Sequence, residues 1–159
     1  VNELSTLAKY IYHQCIDDTH WAATYGTNFR EENIPEGTSV TAPMGVFRMI
    51  HSTDYRGNFG YRFYSEGVYQ IKGVVEGSDF SLLADMANTI DRLFDWQNQI
   101  DPSAGRPKSQ QVWIDPDDDT VQLMIMSIVR KNPIKYPTFA DAVNYCHLGG
   151  DYEICYYLM

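Results

Sequence analysis

VYQIKGVVEGSDFSLLADMANTIDRLF, residues 68–94, decides the fold class. Its first part alternates: Tyr69, Ile71, Gly73 and Val75 fall on one side and Gln70, Lys72 and Glu76 on the other, the two-residue period of a half-buried strand. After Glu76-Gly77 the period changes. Phe80, Leu83, Ala84, Ala87, Ile90 and Phe94 recur at helical spacing through Trp96, with Ser78 or Asp79 placed to cap the start. A strand followed at once by an amphipathic helix, in a chain of 159 residues, calls for one domain whose helices and sheet share a core.

Toward the N-terminus, Leu4, Leu7, Ala8, Ile11 and Cys15 mark one face of a helix over residues 4–16, capped by Asn2 or Ser5. From His20 to Thr41 no period is sustained, and the stretch reads as a long exposed loop. Residues 44–50 and 59–64 alternate around STDYRGN, whose Asp54 and Arg56-Gly57-Asn58 carry turn chemistry, so a hairpin is expected with 68–76 as a third strand beside it.

Toward the C-terminus, Pro102, Gly105 and Pro107 make 97–111 a second long loop. Residues 112–115 and 121–130 read as strands joined by DPDDDT, the second ending at Pro133 and Pro137. Residues 139–145 suggest a short helical turn. Gly149-Gly150 suggests a turn into a last strand with Tyr152, Ile154, Tyr156 and Leu158 on one side. The expected class is α+β: a mainly antiparallel mixed sheet with two principal helices packed on one face, in a single domain over 1–159 with long loops near 20–41 and 97–111. Its core is expected to include Leu7, Ile11, Ile71, Leu83, Ala87, Ile90, Ile125 and Ile154.

Composition excludes several classes. Hydrophobic residues at 44% and charged residues at 21% are globular values, unlike those of a disordered or collagen-like chain. Twelve Lys+Arg against 21 Asp+Glu give −9, the wrong sign for a surface that grips phosphate backbone. No apolar run reaches the ~18–20 residues of a membrane helix. VNELSTLAKY lacks the basic-then-apolar order of a signal peptide, so the chain reads as soluble and unexported, without a membrane partner. Cys15, Cys146 and Cys155 form no CxxC and no disulfide framework.

Catalytic and cofactor signatures fail one by one. The acidic run from Asp115 has Thr120 where a calcium loop needs glycine and Met126 where it needs the bidentate glutamate. Cys146 and His147 could pair as nucleophile and base, but neighbours on a strand point to opposite faces. His13, His20 and His51 fit no metal-ligand spacing, and no GxGxxG, Walker loop or GxSxG occurs. Asp91 and Asp95 lie one turn apart on the polar side of the second helix. The reading is a protein with no enzymatic activity, no cofactor and no metal.

Interface signals remain. Tyr55, Phe59, Tyr61, Phe63, Tyr64 and Tyr69 crowd one β-rich region and alternate with Arg56, Arg62 and Lys72. Two helices cannot cover both faces of about six strands, so half of these aromatics should stand on a second face that meets solvent or a neighbouring subunit. Arg30, Arg56, Arg106 and Lys108 fall in expected loops or turns, and the acidic turn Asp117, Asp118, Asp119 offers the complementary charge. With Phe59 and Tyr61 they are the candidate contact residues.

The order of elements, together with the alternation of 68–76, the helix 80–94 and the ending His147-Leu148-Gly149-Gly150-Asp151-Tyr152, resembles the tail-terminator, or tail-completion, proteins of long-tailed bacteriophages. That resemblance implies a small α+β subunit of the virion neck. It would form a hexameric ring that caps the tail tube, ends its polymerisation and joins it to the head connector. The implied partners are further copies of the chain, the tail tube protein and the connector or stopper protein, with DNA passing through the lumen without specific binding. Six copies would carry roughly −54, which repels a passing phosphate backbone. A head-completion or stopper protein of the same neck is the neighbouring alternative; a monomeric ligand-binding α+β domain and a Cys/His hydrolase using Cys146 are more distant ones.

Overall fold

The structure, a computed structural model, describes residues 2–32, 42–58, 60, 62–98, 100–101, 106–107, 110–140 and 143–159, without the side chains of 98, 100, 101, 106, 107 and 140. Helix α1 (Glu3–Ile16) starts where the Asn2 side chain accepts from the Leu4 N–H at 3.0 Å. It is followed by α2 (Thr19–Tyr25) and β1 (Phe29–Glu31). The first half of the expected loop 20–41 is therefore ordered, and residues 33–41 lie outside the described ones. Asp18 caps α2 by accepting from the Trp21 N–H at 3.0 Å, and Trp21 and Tyr25, one turn apart, are both buried. A seven-residue helix shows too short a period to be read from sequence, and these two aromatics give it its stability.

Two long strands replace the three expected in the next region: β2 (Met44–Arg56) and β3 (Arg62–Glu76). STDYR belongs to β2, because Ser52 through Tyr55 continue the ladder with β3 and only Gly57 onward turns. Helix α3 (Phe80–Phe94), capped by Asp79, ends in a short 3₁₀ turn at Trp96–Asn98. In the expected loop 97–111, β4 (Ile100–Asp101) and β5 (Arg106–Pro107) pair antiparallel. Then come β6 (Gln111–Asp115), β7 (Asp118–Ala140) and β8 (Val143–Leu158).

Strand β7 runs past both prolines instead of ending there. Among the described residues its ladder beyond Met126 is with β8 alone, and two prolines four residues apart omit their N–H on the same side, so a side without a partner strand loses nothing. The helical turn expected at 139–145 is instead the end of β7 and start of β8, with 141–142 outside the described residues. Gly149 and Gly150 do not turn; they lie buried inside β8. A Cβ on Gly149 would sit 2.1 Å from the Ile71 carbonyl oxygen, and one on Gly150 2.9 Å from the Arg130 side chain, so close approach explains the pair.

The main sheet has the order β1-β2-β3-β8-β7-β6, antiparallel except for the parallel β1–β2 pair, which makes the fold α+β with a mixed sheet. All three helices pack on one face. There Leu7, Tyr10, Ile11, Trp21, Met86, Ile90 and Phe94 meet Tyr69, Ile71, Tyr152, Ile154, Ile125 and Trp113 in one cluster. All eight residues expected in the core are buried. Among the described residues no helix is long and apolar enough to cross a membrane.

Two substitutions test this packing by urea denaturation. Leu83→Ala is expected to cost about 2–5 kcal/mol. Gly149→Ala is expected to cost about 1–3 kcal/mol or more by overpacking β8 against β3. Wild-type stability in either variant would contradict the burial assigned to it.

Candidate interaction surface

Strand register separates the side chains of the face away from the helices into two regions. At one end, β3 lies between β2 and β8, and its even-numbered residues Val68, Gln70, Lys72 and Val74 are buried although no helix packs there. The alternation of 68–76 had placed Gln70 and Lys72 on a solvent side. Val68 and Val74, apolar residues in that same phase, are the sequence signal of burial on both faces.

Lys72 is only 1% exposed. Its Nζ donates to Glu32 Oε1 at 3.2 Å, Gln70 Oε1 at 3.2 Å and the Tyr136 hydroxyl at 2.5 Å. Glu32 also faces Arg48 Nε at 3.0 Å. The Tyr136 ring stacks on His147 with centroids 4.5 Å apart, and His147 Nε2 lies 2.8 Å from Thr138 Oγ1. Burial, and then the Lys72 ammonium, push His147 down to about 4, so the imidazole is neutral at physiological pH. The adjoining cleft holds about 190 Å³, below the ~300–1,000 Å³ usual for small-molecule sites. All three Lys72 donors are used by protein acceptors. The cluster therefore braces the sheet, holding β3, β7 and β8 to the residue that follows β1.

The other end is apolar and open. Tyr55 on β2 faces Tyr64 on β3, Tyr157 on β8 faces Met124 on β7, and Met124 faces Val112 on β6. Tyr64 and Tyr157 stand one step beyond the last β3–β8 pair, Ser65 with Tyr156. These five side chains form a stripe across five strands, about 19 Å long at the usual ~4.8 Å strand spacing. Val112 is 48% exposed, neighbouring Ile114 50%, and Phe63 at the hairpin end 67%. Tyr55 and Tyr64 stack at 4.6 Å, and Tyr55 donates to Glu66 at 2.8 Å. Sequence reading grouped Tyr55 and Tyr64 by proximity in the chain. It missed Val112, Ile114, Met124 and Tyr157, because one residue from each of several strands leaves no linear pattern.

The charged candidates separate. Arg30 and Arg56 are exposed and enter no ion pair among the described residues. Asp117 is held at 2.8 Å by Lys9, which also binds Asp115. Asp118 accepts from the Thr120 N–H and hydroxyl, and Asp119 is exposed. The acidic turn is thus partly committed within the subunit. Arg106 lies in β5 with its side chain outside the description, and Phe59, Tyr61 and Lys108 lie outside the described residues.

Cys146 and His147 stand on opposite faces of β8: Cys146 pairs across from Val75 and Pro137 on the helix side, His147 from Val74 and Tyr136. Among the described residues no group of three His, Cys, Asp or Glu could hold a metal ion. No family model matches this sequence, and no match was found among curated proteins.

The buried imidazole carries a pH signature. The folded protein keeps His147 neutral down to about pH 4, whereas an unfolded chain protonates near 6.5, so the unfolded state binds more protons between those values. Stability should fall as pH drops from 6.5 toward 4 and be flat in this component above 6.5. Asp85, held below its ordinary value of 3.8 by hydrogen bonds from Tyr25 and then His20, contributes a loss only at still lower pH. His147→Gln is expected to remove the 6.5-to-4 component in thermal melts; an unchanged pH profile would contradict the buried neutral imidazole.

Proposed function

We propose that the chain is a structural subunit that assembles with copies of itself, and that it acts as a phage tail terminator: a ring in the virion neck that caps the tail tube and meets the head connector. The observation that carries the self-assembly reading is the open apolar stripe on a sheet whose opposite face already has its helices. A stripe of Tyr, Met and Val crossing five strands, exposed at Tyr55 and Val112 and half-buried between them, has the composition of an interface core, and leaving its open area in water forgoes its burial energy.

Two further features support assembly. Residues 48–56 of β2 pair only with β3, and β6 pairs only with β7, among the described residues, so both edges of the sheet are open to strand addition. The net charge of −9 suits a ring through which DNA passes without sticking. The specific role at the tail rests on the part of that resemblance carried by the strand 68–76 and the helix 80–94; the closing turn read at Gly149-Gly150 is not formed and lends it no support. No enzymatic step is part of the reading: Cys146 and His147 are on different faces, and the three Lys72 donors are taken up by protein acceptors.

Tyr55→Asp combined with Val112→Asp should abolish self-association in sedimentation velocity while leaving the melting temperature within a few degrees, since both positions are exposed. Association unchanged by this double variant would remove the stripe as the contact. For the tail role, particles assembled without the protein are expected to carry overlong tails. Tails of normal length in its absence would refute the terminator reading while leaving self-assembly standing.

A further inference from the structure

We infer that copies join head to tail through parallel pairing of the β2 edge of one copy with β6 of the next, Tyr55 lying beside Val112. The inference rests on the self-assembly reading and specifies its contact.

Strand direction is the first argument. Successive antiparallel steps from β2 through β3, β8 and β7 to β6 bring β6 back to the direction of β2, so a neighbour related by rotation alone presents parallel partners. The stripe gives the register. It begins at Tyr55 on one open edge and ends at Val112 on the other, so placing those residues side by side makes the apolar belt continuous from copy to copy.

The short edge strands then fit one another. Projected through the ladders, β6 lies level with residues 54 onward of β2, and β1 lies level with residues 45–47. With the stripe aligned, β6 of one copy and β1 of the next share a single column between β7 and β2 without overlapping.

Charge fits the same register. The β2–β3 and β6–β7 turns are at the same end of the sheet, so Arg56, which enters no ion pair among the described residues, comes toward the neighbour's acidic turn and its exposed Asp119. A two-fold β2–β2 pairing would instead run antiparallel, bring the arginines of like edges together and leave β6 uncovered.

Engineered disulfides test the pairing in the full chain. A chain carrying both Tyr55→Cys and Val112→Cys should give a ladder of covalent multimers on mild oxidation, since adjacent strands bring Cα atoms within the ~4.4–6.8 Å a disulfide spans. A mixture of the two single variants should stop at dimers, and each single variant alone should give none above wild type. Independently, Arg56→Glu should weaken association roughly 1.5- to 5-fold, as expected for a rim ion pair, and adding Asp119→Arg should restore it. Oligomers in sedimentation without the ladder would overturn this pairing but leave self-assembly intact. A monomer at every concentration would overturn both, and failure of Asp119→Arg to rescue would overturn the charge register.

Discussion

Three helices lie on one face of a six-stranded sheet, and among the described residues no helix lies on the other. That asymmetry governs the rest of the molecule. The helix face takes the large apolar side chains and supplies the core, with Trp21, Tyr10, Phe94, Tyr69 and Tyr152 fully or almost fully buried. A central strand such as β3 must still satisfy its other face, and it does so with two different chemistries along its length.

At one end the solution is internal. Lys72 is buried under its own sheet, and an isolated ammonium there would cost several kcal/mol, so Glu32, Gln70 and Tyr136 converge on it. Glu32 follows β1 and Tyr136 lies on β7, so the cluster ties together strands that are not neighbours. Gly149 opposite Lys72 keeps β8 close enough for this, since a Cβ there would meet Lys72 as well as Ile71. At the other end apolar side chains take the place of such a network among the described residues, with Tyr55 donating to Glu66 at its edge. The residues are Tyr55, Tyr64, Tyr157, Met124 and Val112, a stripe that no helix covers among the described residues, and the two open edges flank them.

The parts of the fold legible in the sequence were those with long, regular periods. Helices α1 and α3 and the burial of Tyr152, Ile154 and Tyr156 follow from spacing alone. What was not legible depended on partners distant in sequence. Pro133 and Pro137 read as strand breakers because the unpaired side of β7 cannot be known before the strand order is. Gly149-Gly150 read as a turn because turns and close backbone approach use the same residue type. Lys72 read as solvated because its cover comes from residues 32 and 136. The stripe is the extreme case: its members span residues 55 to 157, and only the ladder registers align them.

The central claim is that copies of the chain join through the two open edges of the sheet, the β2 edge of one beside β6 of the next. Amide hydrogen exchange at low and high protein concentration tests it most directly, because strand addition protects edge N–H groups that side-chain contact alone leaves exchanging. The account predicts slowed exchange confined to residues 54–56 of β2 and to β6 at high concentration, with Lys72 and its strand unchanged. Equal exchange at those edges in dilute and concentrated samples would contradict it.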